Sequence, residues 1–459
     1  MEFRTINPAT GEEIAKYKEV TSEEVNQVIL SADKAFNEWK GTKFEERASV
    51  FNRVASILEE EKHNAAEIMA VEMGKPISQG IAEVEKSAWV CRHYAEHAEE
   101  MLRPNFIKTD SSKSYVNYNP LGTIYAVMPW NYPFWQVFRF AAPNLMVGNT
   151  AILKHAPNVP ECSMLIEDMF RRAGLPAAVF NNILISQRSV PSISREIISN
   201  PKITGVTLTG SSAAGASVAE LAGKNIKKTV LELGGSDPYI VLADADLEKT
   251  VDSCVVSRMS NTGQTCIAAK RFIVDKSIED DFVSLFVEHA NKYIPANPTL
   301  PDTNMGPMAR KDLQLTVNAQ TQMSVKNGAK LVLGGELPRE KGFYFPPTVL
   351  TGVKANSPSF KEEIFGPVAS ITSFSSEEEA IELANATSFG LGAAIFTSDI
   401  EKGEYIAANK LDAGACFVNQ FVKSDPRLPF GGIKNSGFGR ELAKEGITEF
   451  LNIKTVVVA

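Results

Sequence analysis

Between residues 134 and 208, helical and strand-like segments alternate at short intervals, and this alternation restricts the possible folds more than any other feature of the sequence. Short apolar runs bounded by glycine, proline and asparagine are typical of buried strands, whereas longer amphipathic stretches indicate helices. Units of this kind form a mostly parallel sheet. The predicted helices span 134–147, 160–173 and 189–199, and the predicted strands span 150–153, 182–185 and 203–208.

The same pattern begins again after residue 236, with a predicted strand at 239–242, a helix capped by Asp244 or Asp246, and a strand at 271–274. A chain of 459 residues is longer than one hydrophobic core usually serves. We therefore assign the α/β fold class and expect two large domains.

Helices are expected to dominate the first part of the chain. Thr21 and Glu24 form a capping-box pair in front of an apolar stripe at helical spacing. Longer helical regions are predicted at 44–73, where Gly74 and the following proline end the helix, and at 79–102. Their apolar stripes are predicted to pack into the core.

Residues 113–127 alternate with a period of two on either side of a Pro-Leu-Gly turn at 120–122, which predicts a β-hairpin. The last apolar segment, 453–458, is predicted to be a strand. Exposed β edges of this kind aggregate if they are left uncovered, so we expect an oligomer.

The chain carries a formal net charge of −8. Nucleic acids and anionic membranes both require a basic face, so we expect neither as a partner. The amino terminus lacks an apolar h-region, and no later run approaches the length that spans a bilayer. A small anionic substrate, which needs only a local pocket, remains compatible with this charge.

The cysteines are scattered, odd in number and without CxxC spacing, and the five histidines form no cluster typical of a metal site. Such cysteines are typical of reduced thiols in a cytoplasmic protein. We expect an unprocessed cytoplasmic protein without a metal. The cysteines are Cys91, Cys162, Cys254, Cys266 and Cys416.

Cys266 lies in the stretch SNTGQTCIAAK, residues 260–270, within a small, polar, glycine-containing turn. A turn of this composition opens the backbone toward a ligand and leaves the sulfur at a surface, as a nucleophile requires. A cysteine in an intracellular chain more commonly packs as a small apolar residue. The stretch alone leaves both interpretations open.

Two further stretches carry candidate catalytic groups. Glu232 ends a short apolar run and is followed by two glycines, which is how an open α/β sheet presents a general base to a crevice. Asn131 lies in MPWNYPF, and its amide donors do not ionise, so they suit an oxyanion. Taken singly, the two residues are also compatible with a solvated strand-end acid and an ordinary turn asparagine.

Six separated motifs together resemble the aldehyde dehydrogenase superfamily, with matching order and spacing over nearly the whole chain: MPWNYPF (128–134), LTGS (208–211), ELGG (232–235), GQTC (263–266), EEIFGPV (362–368) and PFGGIKNSGFGRE (429–441). The resemblance implies two doubly wound, Rossmann-like α/β domains with a small β oligomerisation arm, in a homodimer or homotetramer. It assigns 1–110 and 125–234 to a dinucleotide-binding domain, 235–428 to a catalytic domain, and 111–124 with 429–459 to the oligomerisation hairpin and C-terminal segment.

The resemblance also implies a mechanism. Cys266 attacks an aldehyde, Asn131 and the Cys266 amide hold the oxyanion, hydride passes to a nicotinamide, and Glu232 activates the water that hydrolyses the thioester. Because all three residues are present, hydrolysis is favoured over transfer to coenzyme A. The cofactor contacts that the resemblance implies are Trp130, Lys154, Gly210, Ser211 and Leu233, with Glu363 at the nicotinamide-side ribose and Phe365 beside the ring.

Gly210 and Ser211 follow a predicted strand and open a helix, although GVTLTG at 205–210 is not the GxGxxG fingerprint of a dinucleotide fold. Amides at a helix start can contact a pyrophosphate, whereas a glycine there also simply permits a tight turn. Lys154 falls directly after another strand and faces the same expected crevice.

The sequence looks most like the short bacterial succinate-semialdehyde dehydrogenases. In that group an arginine that matches Arg139 binds the far carboxylate, and we assign Trp135 and Ser424 to the same pocket. Longer relatives carry a second arginine where this chain has Ser260. The predicted clamp is therefore incomplete, and the residues expected to complete it are Arg258, Lys423, Ser424 or Arg427.

The residues after Lys154 bear on cofactor choice. NAD-selective relatives place a glutamate at the position of Pro157, where it hydrogen-bonds the ribose 2′-hydroxyl and repels a 2′-phosphate. Nothing acidic precedes Glu161. We expect NADP to be accepted or preferred and NAD to be used as well, with His155 and Lys154 as the nearest partners.

Alternative functions remain open at this point. A dehydrogenase of broader aldehyde or semialdehyde specificity would carry the same motifs. A cofactor-free thiol hydrolase or acyltransferase would use Cys266 and Glu232 alone. A non-catalytic binding or structural protein is disfavoured because Cys266, Glu232 and Asn131 are all present.

Overall fold

The computed structural model describes residues 2–459 of the chain. Eighteen strands are present among these residues: β1 Glu2–Ile6, β2 Glu13–Lys18, β3 Asn105–Phe106, β4 Lys113–Pro120, β5 Thr123–Met128, β6 Thr150–His155, β7 Phe180–Ile183, β8 Ile203–Thr209, β9 Lys228–Glu232, β10 Asp237–Val241, β11 Ala269–Asp275, β12 Lys330–Leu333, β13 Thr348–Thr351, β14 Val368–Phe374, β15 Gly392–Phe396, β16 Ala415–Val418, β17 Gly437–Phe438 and β18 Leu451–Val458.

Fifteen α-helices connect and cover the strands of the described chain: α1 Ser22–Trp39, α2 Phe44–Glu60, α3 Lys62–Met73, α4 Ile77–Met101, α5 Trp135–Met146, α6 Pro160–Arg172, α7 Val190–Ser199, α8 Ser212–Lys224, α9 Leu247–Met259, α10 Glu279–Ala290, α11 Lys311–Lys326, α12 Pro358–Lys361, α13 Glu377–Asn385, α14 Ile400–Asn409 and α15 Ala443–Thr448. Short 3₁₀ turns span Ser260–Gly263 and Lys434–Ser436.

Two large sheets confirm the predicted α/β class. The first has six strands in the order β17-β9-β8-β5-β6-β7, and only the short β17 is antiparallel. The second has seven strands in the order β12-β13-β14-β11-β10-β15-β16, with only β12 antiparallel. In each sheet the first strand along the chain lies inside the sheet, and a later strand, β8 or β15, returns beside it, as in doubly wound folds.

The predicted hairpin at 113–127 is wrong. Strand β4 pairs with β18 and β3 in a separate three-stranded antiparallel sheet, whereas β5 lies between β6 and β8 inside the six-stranded sheet. The Pro-Leu-Gly segment therefore carries the chain from one sheet into another. The predicted last strand is confirmed as β18, which starts two residues earlier than expected, at Leu451.

The helices at the start of the chain follow their sequence signals. Thr21 and Glu24 form the expected capping box at the start of α1. The predicted helical region at 44–73 is two helices, because Glu61 leaves the helical backbone between α2 and α3. Gly74 ends α3 with a left-handed φ of 80°, which favours glycine.

Helices α2 to α6 and the first sheet share the largest hydrophobic core. A second core fills the space between α9, α10 and the seven-stranded sheet. No helix among residues 2–459 is both long enough and apolar enough to span a membrane.

Candidate active site

The carboxyl edge of the six-stranded sheet collects four of the predicted site residues. Asn131 follows β5, Lys154 lies near the end of β6, Gly210 follows β8, and Glu232 is the last residue of β9. The strand order reverses between β5 and β8, and ligands of open α/β sheets bind where this reversal opens a crevice. The first sheet therefore supplies one wall of a cleft.

The amino edge of the seven-stranded sheet supplies the other wall. Only the four residues 233–236 separate the end of β9 from the start of β10, so the chain passes directly from one sheet edge to the other. Cys266 precedes β11, and Glu363 precedes β14, at this second edge. Cys266 therefore lies at the edge of the second sheet that faces the first sheet.

Three consecutive left-handed residues shape the turn in front of the nucleophile. Asn261, Thr262 and Gly263 have φ values of 52°, 56° and 71°. A side chain at Gly263 would place its Cβ 2.4 Å from the backbone of Gly366, so this position requires glycine. Non-glycine residues in this conformation are strained and persist only where surrounding contacts hold them.

Hydrogen bonds on both sides of Cys266 supply those contacts. The Gln264 side-chain amide donates to the Asn261 carbonyl at 3.1 Å, and its oxygen accepts from the Ala309 N–H at 2.9 Å. The Lys270 ammonium donates to the carbonyl of Cys266 at 2.6 Å. The backbone that carries the sulfur is therefore fixed before and after the nucleophile.

Asn131 is buried and held in one orientation. Its Nδ2 donates to the Gln264 carbonyl at 3.0 Å, and its Oδ1 accepts from Gln136 Nε2 at 3.1 Å. One amide hydrogen remains free, and the Cys266 N–H makes no hydrogen bond within residues 2–459. The free Asn131 amide hydrogen and the Cys266 N–H are two donors of the kind that an oxyanion needs.

A buried ion pair that the sequence analysis missed supports Asn131 from behind. Lys75 and Glu83 pair with both side chains fully buried. Lys75 Nζ also donates to the Asn131 carbonyl at 2.8 Å. Glu83 Oε1 accepts from the N–H groups of Phe134 and Trp135, at 2.8 and 3.0 Å, at the start of α5. The pair therefore ties α3 and α4 to the segment that carries Asn131.

Glu232 is buried, and neither carboxyl oxygen has a hydrogen-bond partner within residues 2–459. Its Oε1 lies so close to Gly431 that a Cβ there would come within 2.7 Å. Burial raises the pKa of Glu232 well above its usual range, and the nearby Glu441 raises it further, while Arg139 opposes the shift. This carboxyl faces Gly431 and is not part of the cavity wall beside Cys266.

Arg139 was expected to bind the carboxylate of a ligand, but in the structure it already has an anionic partner. Its Nε forms a buried salt bridge with Glu441, and its Nη2 donates to Thr209 Oγ1 at 3.3 Å. Burial raises the pKa of Glu441, while the charge of Arg139 opposes that shift. The chain itself supplies the anion, and the charge of Arg139 is already balanced.

The Cys266 thiol is partly buried. Burial raises its pKa to about 11, while the positive charges of Arg139 and Lys270 act in the opposite direction. At neutral pH the free thiol is therefore mostly protonated, and a base or a bound ligand must favour the thiolate.

A cavity of about 280 Å³ opens beside Cys266. Arg139, Trp135 and Ser424, the three predicted substrate residues, all line it. Ser260, the position at which longer relatives were expected to carry a second arginine, also lines it. Other residues that line the cavity are Gln79, Lys86, Tyr132, Lys423 and Phe430.

Two of the other residues proposed to complete the clamp have partners of their own, whereas Lys423 lines the cavity, is exposed and has no carboxylate within 4 Å among residues 2–459. Arg258 is fully buried and donates to the Gly263 carbonyl. Arg427 pairs with Asp425 at 2.6 Å. Lys86, which sequence analysis missed, lines the cavity and donates to Ser424 Oγ at 2.8 Å.

The glycines after Glu232 make room for Glu363. A Cβ on Gly234 would lie 2.3 Å from Glu363 Oε2, and the Gly235 N–H donates to Glu363 Oε1 at 3.1 Å. Lys270 Nζ lies 3.9 Å from the same oxygen. Glu363 and Cys266 therefore share Lys270, which links the predicted ribose acid to the thiol turn.

The remaining predicted cofactor residues lie along the cleft edges. Trp130 and Phe365 meet edge to face with their ring centroids 5.8 Å apart, and Leu233 is buried nearby. The Gly210 N–H is engaged by the Glu232 carbonyl at 2.9 Å, so this amide is not free for a pyrophosphate. Ser211 caps α8 through its hydroxyl and leaves the first amides of that helix open.

His155 is a correction to the sequence analysis. Its Nε2 pairs with the Pro133 carbonyl at 2.9 Å, and its Nδ1 accepts from the Ala156 N–H at 2.8 Å. Burial lowers its pKa to about 4, so the ring is neutral and its nitrogens are occupied. Lys154 and His155 are successive strand residues and point to opposite faces, so only one of them reaches the cleft.

Lys154 fits a phosphorylated cofactor. It is buried, has no carboxylate partner among the described residues, and its pKa is lowered to about 8 by burial. A buried cation of this kind is stabilised by a ligand anion. Pro157 places no acid beside it. The same described residues contain no group of three or more side chains arranged to hold a metal ion.

The aldehyde dehydrogenase family profile matches residues 1–456. The chain belongs to the aldehyde dehydrogenase family. Like that family, it combines a cysteine turn, a strand-end glutamate and an asparagine at one cleft, so the resemblance and the α/β fold class predicted from the sequence are confirmed.

Individual aldehyde dehydrogenases match over the full chain. The chain is 46% identical over 459 residues to the probable NADP-dependent succinate-semialdehyde dehydrogenase of Synechocystis sp., covering 100% of both chains. It is 45% identical over 463 residues to the NADP-dependent succinate-semialdehyde dehydrogenase 1 of Mycobacterium bovis, again covering 100% of both. The structure of the succinic semialdehyde dehydrogenase of Streptococcus pyogenes in complex with NADP⁺ matches with a TM-score of 0.96 and 38% identity, over 99% of each chain.

Proposed function

We propose that the protein oxidises succinate semialdehyde to succinate with NADP, and also with NAD. The observation that carries this proposal is the cavity itself, where Cys266 shares one space with the cations Arg139 and Lys86. An uncharged aldehyde gives such cations no partner, whereas a second carboxylate does. The relatives named for NADP-dependent oxidation of the same substrate support the proposal.

The nucleophilic step uses the groups that the turn fixes in place. The Cys266 thiolate adds to the aldehyde carbon, and the carbonyl oxygen becomes an alkoxide between Asn131 Nδ2 and the Cys266 N–H. Arg139 and Lys270 stabilise the thiolate through their charge. Because both oxyanion donors are held before substrate arrives, little reorganisation opposes the step.

NADP, when bound, accepts the hydride that leaves the substrate carbon, and a thioester on Cys266 remains. Lys154 and the open first turn of α8 would hold the phosphates, and Glu363 would hold a ribose. Trp130, Leu233 and Phe365 would line the cofactor side of the cleft. The unpaired Lys154 and the absence of an acid at Pro157 favour the 2′-phosphate of NADP.

Glu232 completes the cycle as the general base. Rotation about its side-chain bonds takes the carboxyl from Gly431 toward the thioester, where it removes a proton from water and succinate is released. Its raised pKa makes it a stronger base than an exposed carboxylate. The neighbouring Glu441, which forms a salt bridge with Arg139, contributes to this rise in the pKa of Glu232.

The test is reduced-cofactor formation with succinate semialdehyde and with butanal, an uncharged aldehyde of the same chain length. The proposal predicts a kcat/KM about 10- to 100-fold higher for the semialdehyde, as expected for one charge-assisted contact at a desolvated site. It also predicts a higher kcat/KM with NADP than with NAD. Equal values for the two aldehydes would leave a broad-specificity dehydrogenase, and cofactor-independent turnover would indicate a thiol hydrolase.

A homodimer or homotetramer is proposed through the three-stranded arm. Strand β18 is an edge strand with eight residues, and Phe106, Ile453 and Val457 on this arm are 64%, 58% and 57% exposed. An exposed apolar edge strand of this length tends to aggregate unless another strand or subunit pairs with it. Light scattering after size exclusion should give a multiple of the 50.1 kDa chain mass, and Ile453→Lys should shift it toward the monomer.

The cytoplasm is proposed as the compartment. All five cysteines are free thiols, and the nucleophile is one of them, so the chemistry requires a reducing environment. Fractionation of the source cells, followed by detection of the chain, tests this assignment; recovery in a secreted fraction would overturn it.

A further inference from the structure

Lys86 is a half-buried cation at the Ser424 end of the cavity. Its Nζ donates to Ser424 Oγ at 2.8 Å and lies 4.3 Å from the centre of the Trp135 ring. Helix α4 fixes its direction, because Glu83, one turn earlier on the same face, is already held by Lys75. Lys86 therefore points into the cavity from a rigid element.

The charges that face Lys86 come from three elements. Burial lowers its pKa to about 8, and Arg139 on α5 and Lys423 on the segment after β16 lower it further. Asp425 on that segment and Glu83 on α4 oppose the shift. Both acids have other partners, because Asp425 binds Arg427 and Glu83 binds Lys75.

Lys86 and Arg139 differ in how their charges are balanced. Arg139 forms its buried salt bridge with Glu441, which leaves that pair close to neutral. Lys86 has no carboxylate within 4 Å among residues 2–459, and its hydrogen bond goes to the neutral Ser424 hydroxyl. Lys86 is therefore the half-buried cavity cation without a carboxylate partner, because Arg139 is balanced by Glu441 and Lys423, which also lacks such a partner, is exposed to solvent.

We propose that Lys86, together with Ser424, binds the far carboxylate of the aldehyde substrate and takes the role that the absent arginine at Ser260 leaves open. This assignment rests on the proposed function and adds a specificity residue to it. Arg139 has a different role: its positive charge lowers the pKa of the Cys266 thiol, and it forms the salt bridge with Glu441. The substrate class is an aldehyde with a single terminal carboxylate.

A lysine binds a carboxylate as a point charge, without the two-pronged geometry of an arginine. The ammonium and the Ser424 hydroxyl together then contact the carboxylate oxygens, while Trp135 forms the apolar wall beside the methylene groups. Lys86 already points into the space that the substrate carboxylate enters, so few protein groups need to move when the substrate binds.

The experiment compares kcat/KM for succinate semialdehyde and for butanal, with NADP, in the wild type, Lys86→Met and Arg92→Met. The Arg92 control removes one positive charge from the outer face of α4, where Arg92 pairs with the exposed Glu59. Lys86→Met should lower the semialdehyde-to-butanal ratio by about 10- to 100-fold, the range for losing one charged hydrogen bond. Arg92→Met should leave the ratio within about twofold of wild type.

A pH profile separates a binding role from a structural one. Because Lys86 loses its proton near pH 8 in the free enzyme, KM for succinate semialdehyde should rise as pH increases from 7 to 9.5. Lys86→Arg keeps its charge in this range and should remove that rise. KM for butanal in the wild type provides the reference at each pH.

Each outcome has one meaning. If the wild type does not prefer succinate semialdehyde over butanal, the proposed substrate is wrong. If the wild type shows the preference and Lys86→Met retains it, only the assignment of Lys86 is overturned. Butanal turnover by Lys86→Met shows that the variant is folded, and if that variant does not fold, an unchanged pH profile in Lys86→Arg overturns the assignment.

Discussion

The two sides of Cys266 are built differently. On the oxyanion side, Asn131 has partners for its side-chain oxygen, for one amide hydrogen and for its carbonyl, and a buried ion pair supports its segment. On the acid side, the carboxyl groups of Glu232 have no hydrogen bond, and Glu441 meets only Arg139. The oxyanion side is held by several hydrogen bonds, whereas no hydrogen bond holds the Glu232 carboxyl on the acid side.

This difference in hydrogen bonding matches the different requirements of the two catalytic steps. Donors that stabilise a developing oxyanion work best when they do not reorganise during the reaction. A general base that admits water, takes a proton and later releases it must change both its contacts and its charge. Hydrogen bonds to Glu232 would lower its pKa and hold it in one place, and the structure provides none.

The fixed side is tested most strongly by breaking its buried ion pair. Lys75→Met leaves Glu83 buried without its countercharge and should reduce the free energy of unfolding by about 3–5 kcal/mol, measured by urea denaturation. The double variant Lys75→Met/Glu83→Gln removes both charges and keeps the oxygen that caps α5, so it should recover part of the loss. A change below about 1 kcal/mol in Lys75→Met would show that the pair does not support this region.

Removing the fixed donor itself should affect catalysis more than stability. Asn131→Ala deletes one of the two oxyanion donors and should reduce kcat by about 10²- to 10³-fold, with a smaller change in KM. Gln136→Leu is the matched variant, because it keeps the donor but removes the bond that orients it. Its expected loss in kcat is smaller, and a larger loss than in Asn131→Ala would contradict the assigned donor.

The Cys266 thiol, which lies between these two sides, should lose its proton only at high pH. With its pKa near 11, Cys266 in the free enzyme should react with iodoacetamide about tenfold faster for each pH unit between 7 and 9, followed by mass spectrometry of the 260–270 peptide. The thiolate fraction grows over this whole window because the window lies below the pKa. A plateau below pH 8 would mean that Arg139 and Lys270 outweigh burial.

Much of the fold was predictable because local patterns specify it. The alternation of helices and strands predicted the parallel sheet, and the Thr21–Glu24 capping box and Gly74 predicted helix ends that the structure confirms. The hairpin prediction failed because a period of two identifies a half-buried strand but not its partner. The continuous apolar run of β5 was the missed signal, since a strand buried on both faces belongs inside a parallel sheet.

The candidate site was predictable only where its residues lie in recognisable motifs. Cys266, Glu232 and Asn131 all lie in such motifs, and the structure places them around one cleft. Lys86 was not predictable, because a lysine on an amphipathic helix looks like a solvated residue until the packing of the helix is known. The salt bridge of Arg139 was equally unpredictable, because Glu441 is distant in the sequence and only the folded chain brings the two residues together.

The central claim is that a fixed oxyanion side forms the thioester and the acid side hydrolyses it. Its most direct test is rapid mixing of Glu232→Gln with NADP and succinate semialdehyde, with quenched samples examined by intact-protein mass spectrometry. The account predicts a burst of about one NADPH per site, an acyl group on Cys266, and a steady state on the order of 10²- to 10⁴-fold slower than wild type. A wild-type steady state, or a slow one with neither burst nor acyl-enzyme, would contradict it.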